Sequence, residues 1–103
     1  MSKSKSARAV LEKINRGPLT FAQLVRTVRE TDEVSQEELA KRLKVGKSFV
    51  SDVENGRRVP SIEKSAEWAR ALGYPFEVFV EAAVRSMVAE AGLPNVTVTI
   101  TAA

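Results

Sequence analysis

The chain has 103 residues, room for one compact domain and a short appendage, and its 44% apolar and 28% charged composition is that of a folding protein rather than a disordered one. It contains no cysteine and no histidine, which excludes disulfides, thiolate zinc sites, thiol nucleophiles and the imidazole base, and no apolar run approaches bilayer length. The net charge of +3 is modest but uneven: residues 1–73 hold 15 of the 16 basic groups and 10 of the 13 acids, whereas residues 74–103 carry Arg85 against Glu77, Glu81 and Glu90.

The first ten residues, MSKSKSARAV, are polar and lack the hydrophobic centre of a signal peptide, so a cytoplasmic location is expected. Residues 1–6 read as a solubilising tail or, alternatively, as a basic arm that touches DNA phosphates. Val10, Leu11 and Ile14 at helical spacing predict a short helix over 6–16, stopped by Gly17-Pro18.

Thr20 followed by Gln23 has the pattern of a capping box and predicts a helix to about Thr31, with Phe21, Leu24, Val25 and Val28 as its buried stripe. Ser35 and Glu38 repeat the pattern and open a helix through Leu39, Ala40 and Leu43 that ends near Lys44. From Lys47 to Glu54, Val50 and Val53 fall on one side and Lys47, Ser48, Ser51 and Asp52 on the other, so the second set is free to meet a ligand. Asn55-Gly56 and Pro60 break the chain, Ser61 caps a fourth helix with Ile62, Ala66, Trp68, Ala69 and Leu72, and Gly73 closes it.

Pro75 suits the first turn of a fifth helix, in which Phe76, Phe79, Val80, Ala83, Val84, Met87, Val88 and Ala91 hold steps of three and four until Gly92 and Pro94. The tail NVTVTIT changes to period two, with Val96, Val98 and Ile100 on one face, and predicts a single C-terminal β-strand. A solitary strand lacks hydrogen-bond partners. The expected solution is the same strand of a second chain across a two-fold axis; a disordered tail and strand addition to an unrelated partner are the alternatives.

The run SQEELAKRLKVGKSFVSDVENGRRVPS resembles the phage repressor/Cro and Xre-like helix-turn-helix DNA-binding family, and the likeness extends from about Leu19 to Tyr74. Ser35-Gln36 opens the first motif helix, Leu39-Ala40 supplies the core leucine and the close-contact alanine, Val45 fills the turn, and Glu54-Asn55-Gly56 with Pro60-Ser61 forms the exit. The expected fold is mostly α, a five-helix lambda repressor-like domain with an extra N-terminal helix and the C-terminal strand. Residues 1–18 would be a basic arm with a short helix, 19–74 the DNA-binding domain, and 75–103 a dimerisation helix and strand.

The resemblance implies that the start of the second motif helix meets base edges in the major groove, which falls on Lys47, Ser48 and Asp52 with Ser51 nearby. Lys47 can donate to guanine O6 or N7, Ser48 can donate or accept, and Asp52 accepts only, which favours a cytosine amine. Asp52 alternatively pairs with Lys47 or Lys44 on a solvated face. Gln36 is implied to contact a phosphate, and Arg57 and Arg58 to meet flanking phosphates unless they are merely solvated. The family's habit pairs Arg29 with Glu54, and Trp68 belongs to packing rather than to base stacking.

Two departures stand out: Lys44 replaces the frequent turn glycine, which would displace the turn toward Gly46, and Gly46 replaces a serine or threonine cap. The function expected is a homodimeric transcriptional regulator, a repressor reading a near-palindromic operator on double-stranded DNA, with the dimer formed through residues 76–101. The alternative is an antitoxin that represses its own operon and binds a toxin protein. No cofactor, metal, membrane association or enzymatic activity is expected, since carboxylates such as Glu37-Glu38 fit the first turn of a helix better than an acid/base pair.

Overall fold

In the computed structural model, which describes residues 19–93 and 96–101, Thr20 caps the first helix, α1 (Phe21–Thr31), through the full reciprocal box: its hydroxyl accepts from Gln23 N–H at 3.1 Å and its own N–H donates to Gln23 Oε1 at 3.0 Å. Four more helices follow, α2 (Gln36–Leu43), α3 (Lys47–Glu54), α4 (Ile62–Leu72) and α5 (Phe76–Glu90), and among the described residues there is no strand. At α2 one half of the expected box forms, with Ser35 Oγ accepting from Glu38 N–H at 3.0 Å. Pro75 precedes α5 as its cap rather than lying in its first turn. The helix expected over 6–16 lies outside the described residues, and no described helix is long and apolar enough to cross a membrane.

All five described helices stop in the same way. A residue with positive φ (Glu33, Lys44, Gly56, Gly73 or Gly92) reverses the chain, and the next residue's N–H returns to a carbonyl five positions back: Val34 to Arg29, Val45 to Ala40, Arg57 to Asp52, Tyr74 to Ala69 and Leu93 to Val88. At the three glycines this conformation is cheap, because no Cβ meets the following carbonyl. The turn expected to shift toward Gly46 does not shift. Lys44 takes the left-handed conformation itself (φ 60°, ψ 42°), and Gly46 caps α3 in extended conformation without a side-chain bond. Val45, half-buried against the core, makes the position of that turn worth its strain.

The core is one cluster built from the predicted stripes: Phe21, Leu24, Val25 and Val28 of α1, Leu39, Ala40 and Leu43 of α2, Val50 and Val53 of α3, Trp68, Ala69 and Leu72 of α4, and Phe79 and Ala83 of α5. Ala82 of α5 joins it although it lay outside the predicted stripe, whereas Phe76 and Ile62, counted as apolar-face residues, are 45% and 49% exposed. Trp68 is 2% exposed, as expected of packing, and an aromatic chain runs from it through Phe21 and Phe79 to Tyr74, with centroids 5.6–5.9 Å apart. α4 lies along α5, α2 on α3, and α1 touches both α3 and α5. Two bonds fasten α5 to the start of α1: Ser86 Oγ accepts from Phe21 N–H at 3.0 Å, and Arg85 donates to the Leu19 carbonyl at 3.0 Å.

The C-terminal strand is not formed. Among the described residues, 96–101 have no second strand to supply a ladder, and the Ile100 N–H is taken instead by the Glu81 carboxylate of α5 at 2.8 Å. The alternation survives only as exposure: Val98 and Ile100 are half-buried, Thr97, Thr99 and Thr101 are exposed, and so is Val96.

Tyr74 is 7% exposed and its hydroxyl has no partner among the described residues. Burial, with the Asp32 carboxylate as a lesser cause, pushes its phenol up to about 12 from 10.0. The unfolded chain therefore ionises first on raising the pH, so this contribution to stability is full below pH 10 and is lost as pH rises toward about 12. Because the chain has one tyrosine, its phenolate absorbance should report a midpoint near 12, and Tyr74→Phe should flatten the stability loss of that window. At Lys44, glycine should raise the urea midpoint by relieving about 1 kcal/mol of left-handed strain; an unchanged midpoint would show the turn to be unstrained.

Candidate nucleic-acid interface

α2, the Lys44–Gly46 turn and α3 place one helix with its inner side locked and its outer side free. Val50, Val53 and Glu54 are buried beneath α3. On the opposite side Lys47 and Ser48 are exposed, Ser51 and Asp52 are half-buried, and the four line one shallow depression. The period of the helix alone requires this division, because residues 47, 48, 51 and 52 fall within one arc and 50, 53 and 54 within the opposite one.

Glu54 fixes the orientation of that helix. Its side chain has no exposure, and Arg29, 19% exposed, grips it with both branches: Nε to Oε2 at 2.7 Å and an Nη to Oε1 at 3.1 Å. The hydrogen bond to Glu54 holds the Arg29 guanidinium above its usual range, against the opposing effect of burial. Arg29 also donates to the Val34 carbonyl at 3.1 Å, so one side chain ties the end of α1, the start of α2 and the end of α3. The pairing expected from the family's habit is thus present, and two partners were not anticipated. Gln36 donates its amide to Glu54 Oε1 at 3.1 Å, and Arg26 lies 3.6 Å from the same oxygen while donating to the Glu54 carbonyl at 3.3 Å.

The remaining candidates sit around α3. Asp52 pairs with Arg57 at 3.6 Å rather than with Lys44 or Lys47; with side-chain exposures of 39% and 71%, such a pair contributes at most about 1 kcal/mol and yields readily to a competing ligand. Ser51 Oγ accepts from the Asn55 amide at 3.3 Å. Arg58 lies over the Phe49 ring, 4.3 Å from its centroid. Gln36, turned toward Glu54, keeps a second amide hydrogen and its carbonyl oxygen for an outside partner. The assembly can offer cations to phosphates and a short row of donors and acceptors to base edges.

Sequence reasoning does not single out Phe49 or Arg26 as site residues, and it marks Asn55 only as part of the helix exit. Phe49 is the one apolar residue of α3 outside the Val50/Val53 stripe, and that misfit was the available signal. Nothing in the spacing of Arg26 distinguishes it from a solvated arginine.

The chain matches the family described as Helix-turn-helix over residues 25–79. It is similar to an uncharacterized HTH-type transcriptional regulator, YqaF, of Bacillus subtilis (strain 168), with 36% identity over 47 residues, 46% of this chain. The match spans 62% of the length of that relative. No solved structure matches.

Removing one partner of a buried ion pair leaves the other uncompensated, which costs about 3 kcal/mol or more. Arg29→Ala should therefore lower the urea-derived stability by about that amount, and Arg29→Ala combined with Glu54→Leu should recover a large part of it. A loss below about 1 kcal/mol in the single variant would mean that Arg26 and Gln36 hold the carboxylate unaided.

Proposed function

The chain belongs to the helix-turn-helix family, and from that footing we propose that it is a transcriptional regulator that reads double-stranded DNA through the outer face of α3. The observation that carries the reading is the rigid separation of α3 into a buried side, held by Val50, Val53 and the Glu54 cluster, and a free polar side. A helix projecting in this way fits the major groove of B-DNA. The chain is not an enzyme, because its family is a non-enzymatic DNA-binding one.

In this reading Lys47, Ser48 and Asp52 meet base edges, with Ser51 at the margin. Asp52 is released from Arg57 on docking and selects for a donor such as the cytosine amine, while Arg57 and Arg58 turn to flanking phosphates. Gln36 reaches a phosphate from the start of α2 with the part of its amide that Glu54 leaves free. Such contacts position the protein; the base contacts specify the site.

The reading further holds that the protein is a homodimeric repressor. α5 carries half-buried Val84, Met87 and Val88, and Phe76, Leu93 and Val96 are 45%, 55% and 47% exposed, an apolar surface of the kind a second copy covers. Two α3 helices related by a two-fold axis would enter successive major grooves roughly 34 Å apart on a near-palindromic operator.

Binding-site selection on the purified protein at near-physiological salt, paired with its solution mass, tests all of this. The expected result is a two-fold symmetric site bound by a species of twice the monomer mass. Asp52→Ala should relax the preference at one base position per half-site, at a cost of about 1–3 kcal/mol in discrimination. Failure to prefer any duplex over random competitor would refute the reading.

A further inference from the structure

Phe49 belongs neither to the buried stripe of α3 nor to its free face. With 3.6 residues per turn it lies about 60° round the helix from Asp52 and about 100° from Ser48, on the flank of the face assigned to base edges. Its ring is anchored in the core by Trp68, at 5.8 Å between centroids. Two cations converge on that ring from separate segments: Arg58 of the exit loop, with Cζ 4.3 Å from the centroid, and Lys64 of α4, with Nζ at 5.8 Å.

Two like charges brought to one ring repel, and no described carboxylate pairs directly with either. Arg26, Arg29, Arg42 and Arg57 each have an acidic partner, whereas neither Arg58 nor Lys64 has one within ion-pair distance among the described residues. A guanidinium lying over an aromatic face engages it through its π surface and keeps its N–H donors in plane, available to oxygen acceptors. The ring therefore stores positive charge in a fixed place, and it lowers the entropy lost when a long side chain is ordered by a ligand. What fits two oriented, acid-free cations beside a groove-reading helix is a phosphodiester oxygen of the strand that walls the groove.

We infer that Phe49, Arg58 and Lys64 form a clamp for the DNA backbone, in which Lys64 is a further phosphate contact and Phe49 is a positioning residue that ties the clamp to the reading helix. The inference rests on the assignment of α3 as the DNA-reading helix. It adds to that assignment a contact supplied from α4 and a reason for an aromatic residue on the flank of α3.

The test is the salt dependence of duplex binding by the full chain. Lys64→Ala should reduce the slope of log affinity against log salt by about 0.9, the share of one neutralised phosphate, and weaken selected and random duplexes by the same factor. Phe49→Leu keeps an apolar side chain against Trp68 but loses the ring face, and should weaken both duplexes several-fold. Phe49→Tyr should restore wild-type binding, and adding Phe49→Leu to the Arg58→Ala, Lys64→Ala double variant should cost nothing further. An unchanged slope in Lys64→Ala, or equal affinities for Phe49→Leu and Phe49→Tyr, would overturn the clamp while leaving the assignment of α3 intact. If the unaltered chain binds no duplex, the assignment itself falls and takes the clamp with it.

Discussion

The fully buried carboxylate of Glu54 is the constraint to which the rest of the molecule answers. A charge without solvent is tolerable only when its oxygens are filled by donors in good geometry, and here the donors come from two other helices: Arg29 and Arg26 of α1, and Gln36 of α2. Because the acid closes α3, those bonds fix where α3 ends and therefore how it is turned. An apolar contact in its place would bury area without defining an angle, whereas a forked guanidinium on a carboxylate defines both distance and direction.

The helix ends supply the second constraint. Each of the five described helices terminates in a left-handed residue and a bond to the carbonyl five positions back, so chain reversals are short and their directions are set locally. The two non-glycine cases, Glu33 and Lys44, bracket α2. Strain is accepted on both sides of the helix that carries Gln36 and leads into α3, because the apolar residues just beyond each reversal, Val34 and Val45, are packed against the core.

Charge and packing divide the chain along its length. The basic groups gather around α1 to α4, where several are held by an acid or a ring in defined places, while α5 and the residues after it carry exposed Phe76, Leu93 and Val96 and a net acidic balance. Arg85 and Ser86 connect the two parts by binding the start of α1, the helix that holds Arg29, beside the Phe21–Phe79 contact. The tail bond from Ile100 to Glu81 lies on the same α5 surface.

The sequence by itself determined the helices, nearly all of the core and the free face of α3, because each follows from a local rule: caps at Thr20, Ser35 and Ser61, glycines at 56 and 73, and a 3.6-residue period. It also carried the Arg29–Glu54 pair, through likeness rather than geometry. It misled where a local pattern needed a partner from elsewhere: the period-two tail reads as a strand, but a strand exists only with a second one beside it. Only the tertiary structure decided that Lys44 carries the turn, that Asp52 faces Arg57, that Gln36 is shared with Glu54, and that Phe49 gathers Arg58 and Lys64. Those are contacts between side chains on separate segments, and no periodicity along one chain encodes the distance between two of its parts.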